Sequence, residues 1–495
     1  MNWLRLNDSD NVAVALEPLG AGYRVKLHGQ DILLATDIHP GHKFALSDLP
    51  QGSSIVKYGM TIGKATRHIG AGEHVHVHNL ITALRESENY VYCPTGPDES
   101  GAQSSDCNFD GYRRENGLVG TRNEIWVLST VGCVAHLAQT IARRANELHK
   151  NRCDGVYAFS HPFGCSQVGD DLRHTQGVLA ALARNPNAGG VLIVGLGCEN
   201  NQARSLLEEI PHECRDKVRF FNCQAVADEF EEGLKQVEAL VDIAVGYQRE
   251  PCPVSELVLG LKCGGSDGFS GLTANPLVGR VANRITASKG SVLLTEIPEM
   301  FGAEQVLMNR AASKEVFLGI VDLVVSFKQY LLDHGQSIDD NPSPGNRDGG
   351  ITSLEEKSMG AIQKGGTATV TDVLKYGEIV RRKGLSLVEA PGNDAVSSTA
   401  LTASGATMIL FTTGRGTPLG FPVPTVKISS NTQVATLKKN WIDFDAGRVL
   451  AGGDLDSIAD ELIQQIIDVA SGRIQTRSEC NGQREIAIWK KGVTL

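Results

Sequence analysis

No stretch of this chain reaches the roughly 18–20 uninterrupted apolar residues of a membrane span, so a membrane role is not expected. The opening MNWLRLNDSDNVAVAL lacks the apolar core and cleavage site of a secretory leader, which makes a cytoplasmic location the expectation. Positive charge is not in excess either. Lys and Arg number 47 against 57 Asp and Glu, a net charge of −10. That balance argues against nucleic acid or an anionic membrane surface as the main partner. It leaves room for a small anionic substrate in a locally basic pocket. Aromatic residues are scarce at 5%, whereas glycine is abundant at 54 residues, a balance that suits an α/β enzyme with many tight βα turns. The eleven cysteines contain no C-x-x-C pair, and in a reducing compartment they are expected to be free, metal-binding or catalytic rather than disulfide-bonded. There is no fixed-period repeat, no low-complexity segment and no G-x-S-x-G nucleophile elbow. The nearest approach to a dinucleotide fingerprint is GLGCEN, with Asn200 where the third glycine belongs, in the third strand of its unit rather than the first. Nicotinamide is therefore not expected as a cofactor.

What is present changes character along the chain. Residues 1–92 hold short apolar or alternating runs separated by Gly, Pro and Asp: VAVAL (12–16), YRVKL (23–27), DILLA (31–35) and VKYGMTIG (56–63). They predict a small all-β domain. Residues 93–110, CPTGPDESGAQSSDCNFD, read as a linker. From 111 to 253, strands such as NEIWVLSTVGC, DGVYAFSHPFGC and GGVLIVGLGCENN alternate with helical periodicity at 135–150, 169–185 and 227–248. This is the pattern of a doubly wound, largely parallel sheet in a Rossmann-like domain. Residues 254–495 repeat the style and predict a second α/β domain.

The candidate chemistry sits at predicted strand ends, where open parallel sheets bind ligands. In GEHVHVHN, His74, His76 and His78 alternate, and a strand would put all three imidazoles on one face, as metal ligands or as a solvent-facing edge. His42 is a further base candidate. Cys133, Cys165, Cys198 and Cys263 each end a predicted strand and form a rival metal set, or are small residues beside turns. Glu296 and Glu299 in TEIPEMFGAE are candidates for acid, base or metal ligand, or for a helix N-terminal turn stabilised by the macrodipole. Arg415, between glycines in TTGRGTP, and Lys43 and Lys427 are candidate anion contacts. Asn341 and Asn346 in NPSPGN are placed to orient hydroxyl groups. Imidazoles, carboxylates, thiols and basic groups without a nucleotide motif suit metal-assisted chemistry on a small hydroxylated acid.

Several of these motifs are long enough to carry a resemblance. GHKFAL, YGMTIG and GEHVHVHN resemble the SAF-type β-clip domain that begins the altronate and galactarate dehydratases. GLGCENNQ, CGGSDGFSGLTANP, TEIPEMFGAEQ, NPSPGN, GGITSLEEKS, FTTGRGTP and the terminal KKGVTL resemble the rest of that family, collinearly over nearly the whole chain. GEHVHVHN and TEIPEMFGAEQ look more like the altronate members. The resemblance implies loss of water from D-altronate to give 2-dehydro-3-deoxy-D-gluconate in hexuronate (galacturonate) catabolism, and dependence on Fe(2+) or Mn(2+). Galactarate dehydratase and sulfolactate sulfo-lyase are the same-family alternatives, and an NAD-dependent sugar-acid dehydrogenase or a non-catalytic sugar-acid binding protein are the alternatives of another class. With a metal centre implied, the expected roles are ligands or an acid/base pair from His74, His76 and His78, a base in His42, and a carboxylate grip by Arg415 and Lys43. Glu296 or Glu299 completes the metal shell, and the β-clip domain has to close over the α/β sheet, in a homo-oligomer, expected as a dimer.

Overall fold

The computed structural model describes residues 2–84, 89–96 and 107–495. The N-terminal part is all β, as its alternating runs predict. Trp3–Leu4, Val12–Ala15, Lys43–Ala45 and His74–Val75 form one antiparallel sheet, Arg24–Leu27 and Gln30–Leu33 a hairpin, and Ser54–Lys57, Met60–Ala65 and Leu80–Ile81 a second sheet. VKYGMTIG is not one strand but the two arms of a hairpin. Tyr58 and Gly59 both have positive φ, 62° and 72°, as a two-residue turn matching the strand twist requires. The histidine run also departs from expectation. Only His74–Val75 pairs as strand. From His76 the chain turns, because the Asn79 side chain accepts the His76 N–H at 2.9 Å and donates to the His74 carbonyl at 2.9 Å.

Of the expected linker, residues 97–106 lie outside the described residues. Its last part is structured: Asn108–Arg113 is a strand paired antiparallel with Arg249–Pro253 and with Val119–Gly120. Phe109 explains the difference, since it is 1% exposed and alternates with polar neighbours, which is a strand signal inside a polar segment.

The middle domain is a four-stranded parallel sheet in the order Val156–Phe159, Glu124–Ser129, Ala188–Gly195, Val218–Asn222. Alternate residues of Glu124–Ser129 face opposite layers. Ile125 and Val127 pack with helices Ala135–Leu148 and Glu229–Val245, whereas Trp126 and Leu128 pack with helix Gly169–Arg184. The C-terminal domain holds a seven-stranded parallel sheet: Val370–Leu374, Gly384–Val388, Ser291–Leu294, Val258–Cys263, Met408–Thr413, Thr425–Ser429, Phe444–Asp445. Its central strands are buried without alternation, as strands covered on both faces must be.

The β domain docks on the C-terminal domain within one chain. Val14 packs with Phe269 and Leu272, and Gly268 approaches Gly41 so closely that a Cβ would stand 2.1 Å from the Gly41 carbonyl. Polar contacts finish the joint. Lys43 Nζ and Lys57 Nζ reach the two oxygens of Glu356 at 2.8 and 2.7 Å, all three side chains sealed from water. Lys43 also donates to the Gly350 carbonyl at 3.0 Å. His42 Nε2 lies 3.1 Å from the Asp348 carbonyl and His76 Nε2 3.0 Å from that of Arg347. The rings of His42, His74 and His76 gather at 5.1–5.2 Å between centroids.

Breaking a buried ion pair from one side leaves uncompensated charge and costs about 3–5 kcal/mol. Glu356→Gln strands two buried ammonium groups, so denaturant titration of that variant is expected to show a loss of that order. An unchanged midpoint contradicts the assignment. The histidines give the joint a pH dependence. Burial, followed by the charge of neighbouring rings, lowers His74 to about 3. Burial also takes His76 to about 4, against the hydrogen bond its ring donates to the Arg347 carbonyl, and lowers His42. In the unfolded chain they titrate near 6.5. Between about pH 6.5 and 4 the unfolded state therefore binds more protons, and stability falls as the pH falls through that window. Unfolding free energy measured against pH is expected to fall less steeply there for His76→Asn than for the parent chain; identical slopes refute the account.

Candidate active site

A cavity of about 520 Å³ opens at the carboxyl ends of the C-terminal sheet, lined among others by Cys263, Ser266, Glu299, Asn341, Asn346, Lys357 and Asp394. Another, about 390 Å³, borders Val258 and Ser291, at the amino ends of their strands. The first holds the unusual chemistry.

Its base is built by the strand Val258–Cys263. Lys262 and Cys263 are its last two residues and are fully buried. The next strand in space, Ser291–Leu294, delivers Glu296 in the left-handed region at φ 71°, a costly conformation for a residue with a Cβ. That turn brings its carboxylate back onto Cys263, whose N–H it accepts at 3.0 Å, and onto Lys262 and Lys364. The short helical turn Ile297–Met300 then presents Glu299. Among the described residues, the group of three or more metal-ligating side chains whose donor atoms converge within 4.8 Å is Cys263, Glu296 and Glu299.

Three lysines balance this group. Lys364 Nζ is 2.8 Å from Cys263 Sγ and 3.0 Å from Glu296. Lys262 contacts Glu296 and stands 2.9 Å from Asp394. Lys357 pairs with Glu299 at 2.8 Å and donates to the side-chain carbonyls of Asn341 and Asn346 at 2.9 and 3.2 Å. Burial pushes the Cys263 thiol up to about 12, with Glu296 and Glu299 adding to it. Burial alone favours neutral Glu299, but Lys357, Lys262 and Lys364 outweigh it and hold the carboxyl well below its usual range. The same attractions, against burial, raise Lys262, Lys357 and Lys364. With the thiol protonated, three cations face the carboxylates of Glu296, Glu299 and Asp394, and the charges cancel. A divalent cation fits this set of thiol and carboxylate donors, and its charge would displace the thiol proton. One surplus positive charge then remains, which an anionic ligand satisfies.

The expected site residues divide. Glu299, Asn341, Asn346 and Cys263 line this cavity, and Glu296 is buried against Cys263 beneath it. Asn346 sits in the short helix Pro344–Asp348, its amide donating to the Ser266 carbonyl at 2.8 Å. Arg415 is exposed beside Gly345, its guanidinium 4.0 Å from Asp348. His42, His74 and His76 belong to the docking joint that supports that helix from the other domain, and His78 is exposed. Both ring nitrogens of His42 are engaged, Nδ1 lying 3.1 Å from His74 Nε2 and Nε2 on the Asp348 carbonyl, and His76 Nε2 is on that of Arg347. Lys43 is committed to Glu356 and Gly350, and Lys427 donates to the Thr417 carbonyl at 2.8 Å, outside the cavity lining. The four cysteines do not form one set: Cys263 is in the cavity, whereas Cys133, Cys165 and Cys198 belong to the middle domain.

Sequence reasoning passed over Lys262, Lys357, Lys364, Glu356 and Asp394. A signal existed for two of them. Lys262 interrupts the apolar strand VLGLKC, and Lys357 lies in GGITSLEEKS, a polar stretch whose helix, Leu354–Ala361, is buried on every side.

Comparison with known proteins agrees with this architecture. Residues 1–83 match the altronate/galactarate dehydratase SAF domain, 111–245 the second domain of D-galactarate dehydratase/altronate hydrolase, and 254–494 the D-galactarate/altronate dehydratase C-terminal domain. The chain is 48% identical to altronate dehydratase of Escherichia coli and 48% identical to that of Bacillus subtilis, in each case over 100% of both chains. It is 33% identical to galactarate dehydratase (L-threo-forming) of Escherichia coli, over 96% of this chain and 94% of that one. Full-length identity at this level, with all three domains matched in order, places the chain in the altronate/galactarate dehydratase family.

Proposed function

We propose that this chain is a hydro-lyase that converts D-altronate to 2-dehydro-3-deoxy-D-gluconate and water in hexuronate catabolism, with Fe(2+), or Mn(2+) in its place, held by Cys263, Glu296 and Glu299. The observation that carries the reading is the cavity at the carboxyl strand ends, where a convergent thiol–dicarboxylate group stands beside fixed cations.

The C2 proton of an aldonate is a very weak acid, and the adjacent carboxylate makes a second negative charge costly. A bound divalent cation supplies charge neutralisation where the enolate forms. The chain's own groups do the rest. Lys357, kept protonated by Glu299, lines the cavity and grips the substrate carboxylate, while Asn341 and Asn346 orient Lys357 and the hydroxyls. Glu296 is sealed between Lys262 and Lys364; of the cavity-lining carboxylates with part of their surface free, Asp340 and Asp394, Asp394 is the one fixed beside the thiol–carboxylate group, 2.9 Å from Lys262. Asp394 takes the C2 proton. The C3 hydroxyl departs as water on taking that proton back from Asp394, and the enol tautomerises to the 2-keto acid. Electrons balance without a redox cofactor.

A positioned base contributes about 10²–10⁴-fold to rate. Asp394→Asn is expected to lower kcat by that factor with KM for altronate changed only a few-fold, read as 2-keto-3-deoxy acid formed by metal-loaded protein from a panel of altronate, galactarate and sulfolactate. Turnover retained in the variant removes Asp394 from the role. Product from galactarate, or sulfite from sulfolactate, in preference to altronate overturns the substrate.

A further inference from the structure

The middle domain carries a second concentration of sulfur that the dehydration chemistry does not use. Its strands lie in the order Val156–Phe159, Glu124–Ser129, Ala188–Gly195, Val218–Asn222, all parallel, and the loop after each contains a cysteine: Cys165, Cys133, Cys198 and Cys223. Neighbouring strands are about 4.8 Å apart, so four thiol-bearing loops crowd one short edge. Cys223 is half-buried and packs against the apolar cluster beneath helices Ala135–Leu148 and Glu229–Val245, which accounts for it. The other three are exposed. Free cysteine is among the most buried residue types, so three exposed thiols at adjacent strand ends call for a different explanation.

The loops are tied to one another rather than loose. Gly132 N–H donates to the Phe163 carbonyl at 2.9 Å and Asn201 N–H to that of Gly164 at 3.0 Å. Ser166 N–H donates to the Asn200 side chain at 2.8 Å, and the Asn201 amide donates to the Thr130 carbonyl at 2.8 Å. Each of these residues is within three positions of one of the three cysteines. Gly164 shows how tight the packing is: it has φ 103°, and a Cβ there would stand 2.1 Å from the Thr130 carbonyl. The three thiols are thus held in fixed relation by a rigid edge. Among the described residues they are not a group with donor atoms inside 4.8 Å, as Cys263, Glu296 and Glu299 are. Three soft thiols on tied loops at adjacent strand ends are the donor type that iron–sulfur centres use.

We infer that Cys133, Cys165 and Cys198 form a three-thiolate site for an iron–sulfur cluster on the carboxyl edge of the middle-domain sheet, separate from the cavity metal. Three protein ligands leave one cluster position open to solvent or to a small ligand.

The full chain, purified without oxygen, is to be reconstituted with ferric iron, sulfide and a thiol that reduces part of the iron, then desalted and assayed for iron and acid-labile sulfide, with visible absorption and electron paramagnetic resonance of the reduced sample. Iron and labile sulfide in equal amounts are expected, lost in Cys133→Ser, Cys165→Ser and Cys198→Ser and retained in Cys480→Ser. Alkylation followed by mass spectrometry of the parent chain provides a readout free of variants: the three thiols are modified before reconstitution and protected after it. Iron bound without labile sulfide, a cluster indifferent to the three serines, or a disulfide joining two of the thiols in place of a cluster overturns the inference.

Discussion

A charge taken out of water must be met by another, and the helix Leu354–Ala361 turns that constraint into architecture. It is buried on every side and yet carries Glu355, Glu356 and Lys357 in succession. Each points to a different partner. Glu355 accepts from Thr82 and the Ala83 N–H at the end of the β domain. Glu356 holds Lys43 and Lys57 from the body of that domain. Lys357 turns to Glu299, Asn341 and Asn346 at the cavity. None of the three can be left alone in a medium of low polarity without a cost of several kcal/mol. Domain docking and cavity geometry are consequently satisfied together or not at all.

The same principle organises the sheet end. Glu296 occupies a left-handed backbone conformation because only that turn returns its carboxylate to Lys262, Lys364 and the Cys263 N–H. The strain is offset by electrostatics inside a sealed site, where preorganised charge acts most strongly on a developing enolate. Burial, with its anionic neighbours adding to it, holds the Cys263 thiol protonated, so a divalent cation bound there would have to displace that proton.

Much of this was legible in the residues. Strand–helix alternation announced the two α/β domains, and ligand chemistry at carboxyl strand ends was expected from parallel topology alone. Glu296, Glu299, Asn341, Asn346 and Cys263 stand out from motif context, and the fold brings them together at one sheet end. The histidine run misled for a physical reason. Spacing by two implies a shared face only while the strand lasts, and Asn79 ends it at Val75. The rings still gather, but at a domain joint. The buried lysines escape a first reading because lysine reads as surface by default; Lys262 and Lys357 stand in telling contexts, but the pairing partners that explain their burial lie far away in sequence. Cys223 was passed over because no Gly-Cys turn precedes it, and the common edge of the middle sheet appears only once strand order is known.

A bound cation is expected among Cys263, Glu296 and Glu299, with the histidines serving the joint. Anomalous diffraction at the manganese edge, from crystals grown with Mn(2+), reads this directly. One peak within bonding distance of Cys263 Sγ and both carboxylates is the predicted result. A peak among His42, His74 and His76, with the thiol–carboxylate group still bound by its lysines alone, would contradict it.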